Sequence, residues 1–183
     1  MGNYTKAESL YVEAIAIRKK VFGEQNPDYA TSLTNLAYLY TLSGNYLKAE
    51  PLYIQAVEIL EKVLGKTHPD YATSLNNLAN LYESMGNYTK AELVNIQAME
   101  IRKKVLGESH PDYAISLNNL ANLYEKTGNY AQSVPKLLQG MDISRKQILS
   151  NISNLSEKEK ETWFNKKLYE NEILLSFQYN YKA

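Results

Sequence analysis

Few side chains in this sequence are suited to catalysis or to metal binding. Its 183 residues include no cysteine, which excludes thiol nucleophiles and cysteine–zinc sites, and the two histidines, His68 and His110, each stand directly before a proline. We interpret both histidines as loop residues ahead of a helix, too far apart to share a metal or a proton. The chain also lacks a phosphate-binding glycine loop and a G-x-S-x-G motif. We therefore predict no enzyme, no catalytic residue, no metal and no cofactor.

Asparagine is the better candidate for a binding residue in this sequence. It recurs at Asn35, Asn77, Asn80, Asn119 and Asn122 within segments of helical pattern, although asparagine is a poor helix former. Its amide carries two donors and an acceptor, so a row of asparagines can satisfy the backbone of an extended peptide whatever that peptide's sequence. The alternative is that these amides only solvate the surface or bond between neighbouring repeats.

A repeat of 42 residues positions these side chains. Gly-Asn-Tyr begins at Gly44, Gly86 and Gly128, and one period further upstream at Gly2. Pro-Asp-Tyr-Ala begins at positions 27, 69 and 111 with the same step. A fixed period of this length indicates a repeat array, in which each unit buries its apolar face against its neighbours.

Each unit reads as two amphipathic helices. Apolar residues step by three and four along residues 71–82 and again along 91–105, which is the spacing of a helix stripe, and no strand-like alternation appears. Pro51 and Pro135 fall near the start of second helices, where we expect no deep break. The predicted helices are approximately 4–22, 27–42, 47–64, 69–84, 88–106, 111–126 and 130–149.

The repeat resembles the tetratricopeptide repeat, and its long loop resembles that of kinesin light chains. The signature residues fall on Leu78, Ala79, Tyr82, Gly86, Ala91 and Ala98, with Asn95 where an aromatic is expected. The resemblance covers about residues 2–149 and implies an all-α, right-handed α-solenoid of helix-turn-helix repeats with a C-terminal capping helix. We expect an array over residues 1–150, made of a partial repeat 2–25 and repeats 27–65, 69–107 and 111–149, and then a cap over residues 151–183.

In such a solenoid the first helix of every unit lines the concave side. Kinesin light chain grooves hold peptides with asparagines at matching positions, so the resemblance implies a scaffold that binds a protein or peptide in this groove. The predicted ligand-binding residues are Asn35, Tyr38, Thr73, Asn76, Asn77, Asn80, Asn118, Asn119 and Asn122.

The C-terminal segment leaves two alternatives open. Ser156 and Glu159 form a capping-box pattern that predicts a helix over about residues 157–178. Residues 155–168 also resemble the segment that follows tetratricopeptide arrays in bacterial CHAT (caspase-like) proteases, which would make the chain a sensor portion. Alternatively the unpaired first helix or the C-terminal helix forms a homo-oligomer, as in a self-assembling structural module.

Composition limits the class of partner. Twenty basic and twenty acidic residues cancel, so we expect neither nucleic acid nor a membrane surface as a partner. No run of 18 apolar residues and no signal-peptide core occurs, which favours a cytoplasmic protein. We interpret the basic runs Arg18-Lys19-Lys20 and Arg102-Lys103-Lys104 as cations that offset the dipole at the ends of second helices.

Overall fold

The computed structural model describes residues 4–153, 155–159 and 162 and is α-helical, with no strand in those ranges. The chain divides into two compact units, Met1–Ile143 and Ser144–Ala183. None of the helices in these ranges combines the length and the apolar character needed to cross a bilayer. The helices are α1 Tyr4–Phe22, α2 Pro27–Leu42, α3 Tyr46–Leu64, α4 Pro69–Ser84, α5 Tyr88–Leu106, α6 Pro111–Lys126 and α7 Tyr130–Ser153.

Helices α2, α4 and α6 are the first helices of their units, and each begins with a proline. The preceding residue caps each helix. The Oδ1 atom of Asn26 and the Nδ1 atoms of His68 and His110 accept the backbone N–H two residues later, at 2.8, 3.1 and 3.1 Å. Such caps satisfy donors that a helix start would otherwise leave unpaired. Both histidines therefore have a structural role, as the sequence interpretation proposed.

A glycine turn joins the two helices of each unit. Gly86 has a φ of 74°, a left-handed conformation that glycine adopts without a steric cost. It allows the N–H of Asn87 to donate to the carbonyl of Tyr82 at 2.8 Å, which closes the end of α4. The equivalent glycines, Gly44 and Gly128, both have a φ of 75°. The predicted turns between paired helices are confirmed.

Alanines stand where the helices approach one another most closely. Ala37, Ala79, Ala91 and Ala98 are 0% exposed, and Ala121 is 1% exposed. Within the compact unit Met1–Ile143, α2 packs on α3 and α4 packs on α5. The second helices α1, α3 and α5 each pack also on the first helix that follows, and α2 touches α4. The predicted all-α solenoid of helix pairs is confirmed, and the small residues of the repeat are packing residues.

A polar clamp, formed by a tyrosine, a glutamate and a lysine, ties each unit to the one before it. The hydroxyl of Tyr40 on α2 donates to Glu8 Oε1 on α1 at 2.6 Å. The Nζ atom of Lys48 on α3 lies 3.4 Å from the same oxygen and 4.9 Å from the centroid of the Tyr40 ring. Burial, followed by the hydrogen bond to Glu8, raises the pKa of Tyr40 to about 12.

Equivalents of this clamp recur along the array, with one change of residue. One unit later, Lys90 lies 3.5 Å from Glu50 and 4.8 Å from the centroid of the Tyr82 ring. In the next unit Tyr124 donates to Glu92 at 2.7 Å. The tyrosine and the glutamate therefore recur in every unit, whereas Gln132 replaces the lysine in the last one. In each case the pair lies between a first helix and the second helix that precedes it.

The helix boundaries agree with the predicted ones, with two exceptions. Helix α3 starts at Tyr46 rather than Leu47, so Pro51 is its sixth residue and lies beyond the first turn, and yet the helix continues through it. Helix α7 runs to Ser153 rather than Leu149, and it also contains a proline, Pro135.

The second compact unit contains the end of α7 and the predicted capping box. The N–H of Ser156 donates to Glu159 Oε2 at 2.9 Å, and the N–H of Glu159 donates to Ser156 Oγ at 3.4 Å. The hydrogen bonds from Ser156 lower the pKa of Glu159. Most of the predicted helix over residues 157–178, and most of the segment that resembles CHAT proteins, lie outside the described residues.

Replacing Ala79 by leucine should lower the free energy of unfolding of the compact unit Met1–Ile143 by about 1–3 kcal/mol, because a larger side chain overpacks a fully buried contact. Urea unfolding followed by circular dichroism measures this change. Ala131→Leu, at an exposed position on α7, is the matched control and should change the free energy of unfolding little. An equal loss of stability in both variants would contradict the close helix contact at Ala79.

Replacing Tyr40 by phenylalanine should make stability less dependent on pH in alkali. The folded protein keeps the Tyr40 proton up to about pH 12, whereas the unfolded chain releases it near 10.0. The contribution is complete below the unfolded pKa and is lost as pH rises through this window. Urea titrations across the window should show a shallower fall for Tyr40→Phe and an intermediate one for Glu8→Gln. Parallel curves for wild type and Tyr40→Phe would contradict the assignment.

Candidate binding face of the first helices

The first helices α2, α4 and α6 share one face of the compact unit Met1–Ile143, and two pockets open on this face. The α2–α4 pocket has a volume of about 360 Å³. It is lined by Pro27, Thr31, Thr34, Asn35, Leu60, Asp70, Thr73, Ser74 and Asn77. All of these residues except Leu60 belong to α2 and α4, so the pocket has a wall of hydroxyl and amide groups and one aliphatic side chain from α3.

The α4–α6 pocket is larger, at about 590 Å³. It is lined by Asn80, Glu83, Asn119, Asn122, Glu125, Lys126 and Tyr130. Lys126 Nζ lies 2.8 Å from Glu83 Oε2, and the Glu83 side chain is only 10% exposed. The pocket lining therefore carries two carboxylates and one ammonium group.

Asn95, which replaces the expected aromatic, is part of this arrangement. Its side chain is 1% exposed, and its Nδ2 atom donates to Glu83 Oε1 at 3.5 Å. Tyr53 occupies the same position one repeat earlier and is 3% exposed. The smaller amide supports a mostly buried carboxylate at the edge of the pocket. Sequence reasoning noted the exchange but did not connect it to Glu83.

Most of the predicted site residues lie on this face. Asn35, Thr73 and Asn77 line the α2–α4 pocket, and Asn80, Asn119 and Asn122 line the α4–α6 pocket. Tyr38 is 57% exposed and lines neither of these two pockets.

Two further predicted residues, Asn76 and Asn118, have side-chain oxygens that are buried rather than open to a guest. Asn76 is only 6% exposed, and its Oδ1 atom is buried. The Oδ1 atom of Asn118 is also buried, and a Cβ atom at Gly140 of α7 would lie only 2.5 Å from it. Asn118 therefore lies on the side of α6 that packs on α7. Gly140 makes room for the amide of Asn118.

Arg102 is a structural residue that the sequence interpretation placed incorrectly. It is 5% exposed, so it is not a surface cation that offsets the helix dipole. Its Nη1 donates to Ser116 Oγ at 2.9 Å and to the carbonyl of Asp112 at 3.3 Å, and its Nη2 donates to Thr73 Oγ1 at 3.0 Å. Burial lowers the pKa of Arg102. Comparison of Arg102 with Leu60, the same position one unit earlier, could have revealed a core-facing position.

Comparison with known proteins identifies the family. A family model of the tetratricopeptide repeat matches residues 1–59, 34–104 and 94–146. The chain belongs to the tetratricopeptide repeat family, whose arrays are protein-interaction scaffolds and are typically not catalytic. No curated protein sequence matches it.

Several solved structures resemble the chain. One is BtubC (BKLC) from P. vanneervenii, with a TM-score of 0.72 and 25% identity over 80% of this chain and 58% of that one. Two structures of a Podosopora anserina kinesin-light-chain-type protein, with nearly identical TPR-like repeats, have TM-scores of 0.68. The point-mutant form is 30% identical and covers 79% of this chain and 68% of that one; the other is 28% identical and covers 85% and 71%. The chain thus spans less than two thirds of BtubC.

A double-mutant cycle should detect the ion pair between Glu83 and Lys126. Because Glu83 is mostly buried and Lys126 is mostly exposed, we expect a coupling energy of about 0.5–1 kcal/mol, at the upper end for partly exposed pairs. The measurement compares urea unfolding of wild type, Glu83→Gln, Lys126→Met and the double variant at low and high salt. A coupling energy of zero at low salt would contradict the pairing.

Proposed function

We propose that this scaffold holds an extended segment of a partner protein along the face formed by α2, α4 and α6. One observation carries the proposal. Five asparagines on three successive first helices, Asn35, Asn77, Asn80, Asn119 and Asn122, all line the two pockets of this face. None of them is buried, so their amides are accessible to a guest.

The spacing of the first helices suits an extended guest. Helices in contact lie about 8–10 Å apart, and an extended chain advances about 3.3 Å per residue. At this spacing α2 and α4, which are in contact, would meet residues of a crossing strand that are roughly three apart. An amide on each helix can donate to a carbonyl and accept from an N–H of the guest, which supports binding without a strict sequence requirement.

The charges on the face support a guest that is not acidic. Asp70 lines the α2–α4 pocket, and Glu83 and Glu125 line the α4–α6 pocket. Lys126 is the one cation among the lining residues of the two pockets, and it is paired with Glu83. An acidic segment would therefore meet like charges at both pockets, whereas basic or neutral side chains would not.

Replacing Asn77, Asn80, Asn119 and Asn122 together by alanine should abolish partner capture. Folding should be retained, because alanine is the better helix former at each position. Loss of only two net hydrogen bonds, at about 1 kcal/mol each, weakens binding by more than about tenfold. The measurement is a pull-down with the immobilised chain, quantified by mass spectrometry for wild type and variant.

Asn76→Ala is the matched control for this experiment. Asn76 adjoins Asn77 in sequence but is 6% exposed, so its loss should leave the set of captured proteins unchanged. Circular dichroism should show the same helix content in all three proteins. Full capture by the fourfold variant would reject the proposed binding face, and loss of capture in Asn76→Ala alone would show that stability rather than the surface decides the result.

A further inference from the structure

The array has a junction wherever two successive first helices lie side by side, and equivalent junctions contain different side chains from the intervening second helix. Between α4 and α6, Arg102 reaches across from α5 and ties the two first helices together. Between α2 and α4 the same repeat position, 42 residues earlier, is Leu60 on α3. An aliphatic side chain cannot donate these hydrogen bonds, and it lines the α2–α4 pocket of about 360 Å³.

The pocket retains the oxygen atoms that would receive a guanidinium group. Arg102 donates to the hydroxyl groups of Thr73 and Ser116 and to the carbonyl of Asp112. Their counterparts one repeat earlier are Thr31, Ser74 and Asp70, and all three line the α2–α4 pocket. The acceptor residues are therefore repeated, but the arginine that uses them is not.

The hydroxyl protons of this pocket are donated to carbonyl groups of their own helices, although Ser74 uses the carbonyl three residues back whereas Ser32 and Ser116 use the one four residues back. Thr73 donates its own proton to the carbonyl of Pro69 at 3.1 Å while its oxygen accepts from Arg102. Thr31 likewise donates to the carbonyl of Pro27 at 3.0 Å. Ser74 donates to the carbonyl of Tyr71 at 2.7 Å. Because the hydroxyl protons of Thr31 and Ser74 are donated within their own helices, the oxygen atoms of these two residues keep lone pairs for an incoming donor.

A second arginine in the chain shows the same preference. Arg18 on α1 donates from Nη1 to the carbonyl of Asp28 at 2.9 Å and to Ser32 Oγ at 2.8 Å. These acceptors are the counterparts of Asp112 and Ser116 two repeats earlier. Among the three of these positions that precede a described first helix, 18, 60 and 102, two thus carry an arginine bonded to the same pair of groups, and Leu60 is the exception.

We infer that the α2–α4 pocket binds the guanidinium group of an arginine side chain presented by the partner segment. The inference rests on the proposed function, whose guest crosses this face, and adds the chemistry of one of its side chains. A planar guanidinium has five donors and can reach hydroxyls on two helices at once, which the compact ammonium of lysine does less well. Asp70 is the one charged lining residue of this pocket, and its sign favours a cation.

The inference is tested with N-acetyl-L-arginine N-methylamide and its lysine counterpart as probes. Two-dimensional ¹H–¹⁵N spectra should show saturable shifts of the side-chain amides of Asn35 and Asn77 with the arginine probe. The lysine probe should bind at least tenfold more weakly. No shift with arginine, or equal shifts with both probes, would overturn the inference.

Leu60→Arg is the decisive variant, because it should fill the pocket from within as Arg102 fills the next junction. Unchanged helix content with loss of the arginine-induced shifts is expected, and unchanged shifts in a folded variant would overturn the inference. Thr31→Val combined with Ser74→Ala removes the two hydroxyl acceptors with little change in shape. This second variant should weaken arginine binding at least tenfold, and wild-type binding would again overturn the inference.

Arg102→Leu is the converse variant and separates this inference from the proposed function. It should create a second arginine-binding pocket, seen as a new shift at Ser116, and the absence of this shift would count against the inference. Loss of capture in the asparagine variant without any arginine-probe binding would leave the proposed function standing and reject the arginine pocket. The opposite result is also distinguishable. If the fourfold asparagine variant still captures partners, and Leu60→Arg abolishes the arginine-induced shifts, the arginine pocket is supported and the asparagine face is rejected.

Discussion

Close approach between successive helices is the constraint on which the rest of this structure depends. Alanines at 0–2% exposure stand along the contacts of the first unit, and a glycine stands where α7 meets the amide of Asn118. Small residues let the helices pack pairwise, and pairwise packing aligns the first helices on one face. The face that carries the two pockets is therefore a product of the spacing that the small side chains allow.

The polar clamps add direction to this packing. Burial between helices is not strongly directional, whereas a tyrosine hydroxyl that meets a carboxylate at 2.6 or 2.7 Å fixes the two helices in register. The lysine that lies over the tyrosine ring partly neutralises the carboxylate. Because the clamps lie between units, they support the relative position of first helices without occupying the pockets themselves.

Much of this could be predicted from the sequence, because the repeat shows each element several times. The period, the apolar stripes, and the proline and glycine positions determined the helices to within a few residues. The orientation of individual side chains was harder to predict. Asn76 and Asn77 differ by about 100° around the helix, and only the position of the second helix decides which of them is buried. Arg102 was misplaced for a similar reason, since its run of basic residues looks like a solvated helix end until its neighbours are known.

The exchange of arginine for leucine between equivalent junctions makes the array periodic in backbone but not in side-chain chemistry. A shift of 42 residues superimposes Leu60 on Arg102 and so places an open pocket where the next junction has a buried guanidinium. A guest segment displaced by one repeat would find the same helices but lose a place for one of its side chains. Under the proposed binding mode the array would discriminate between alignments of the same guest, which a perfectly uniform row of amides could not do.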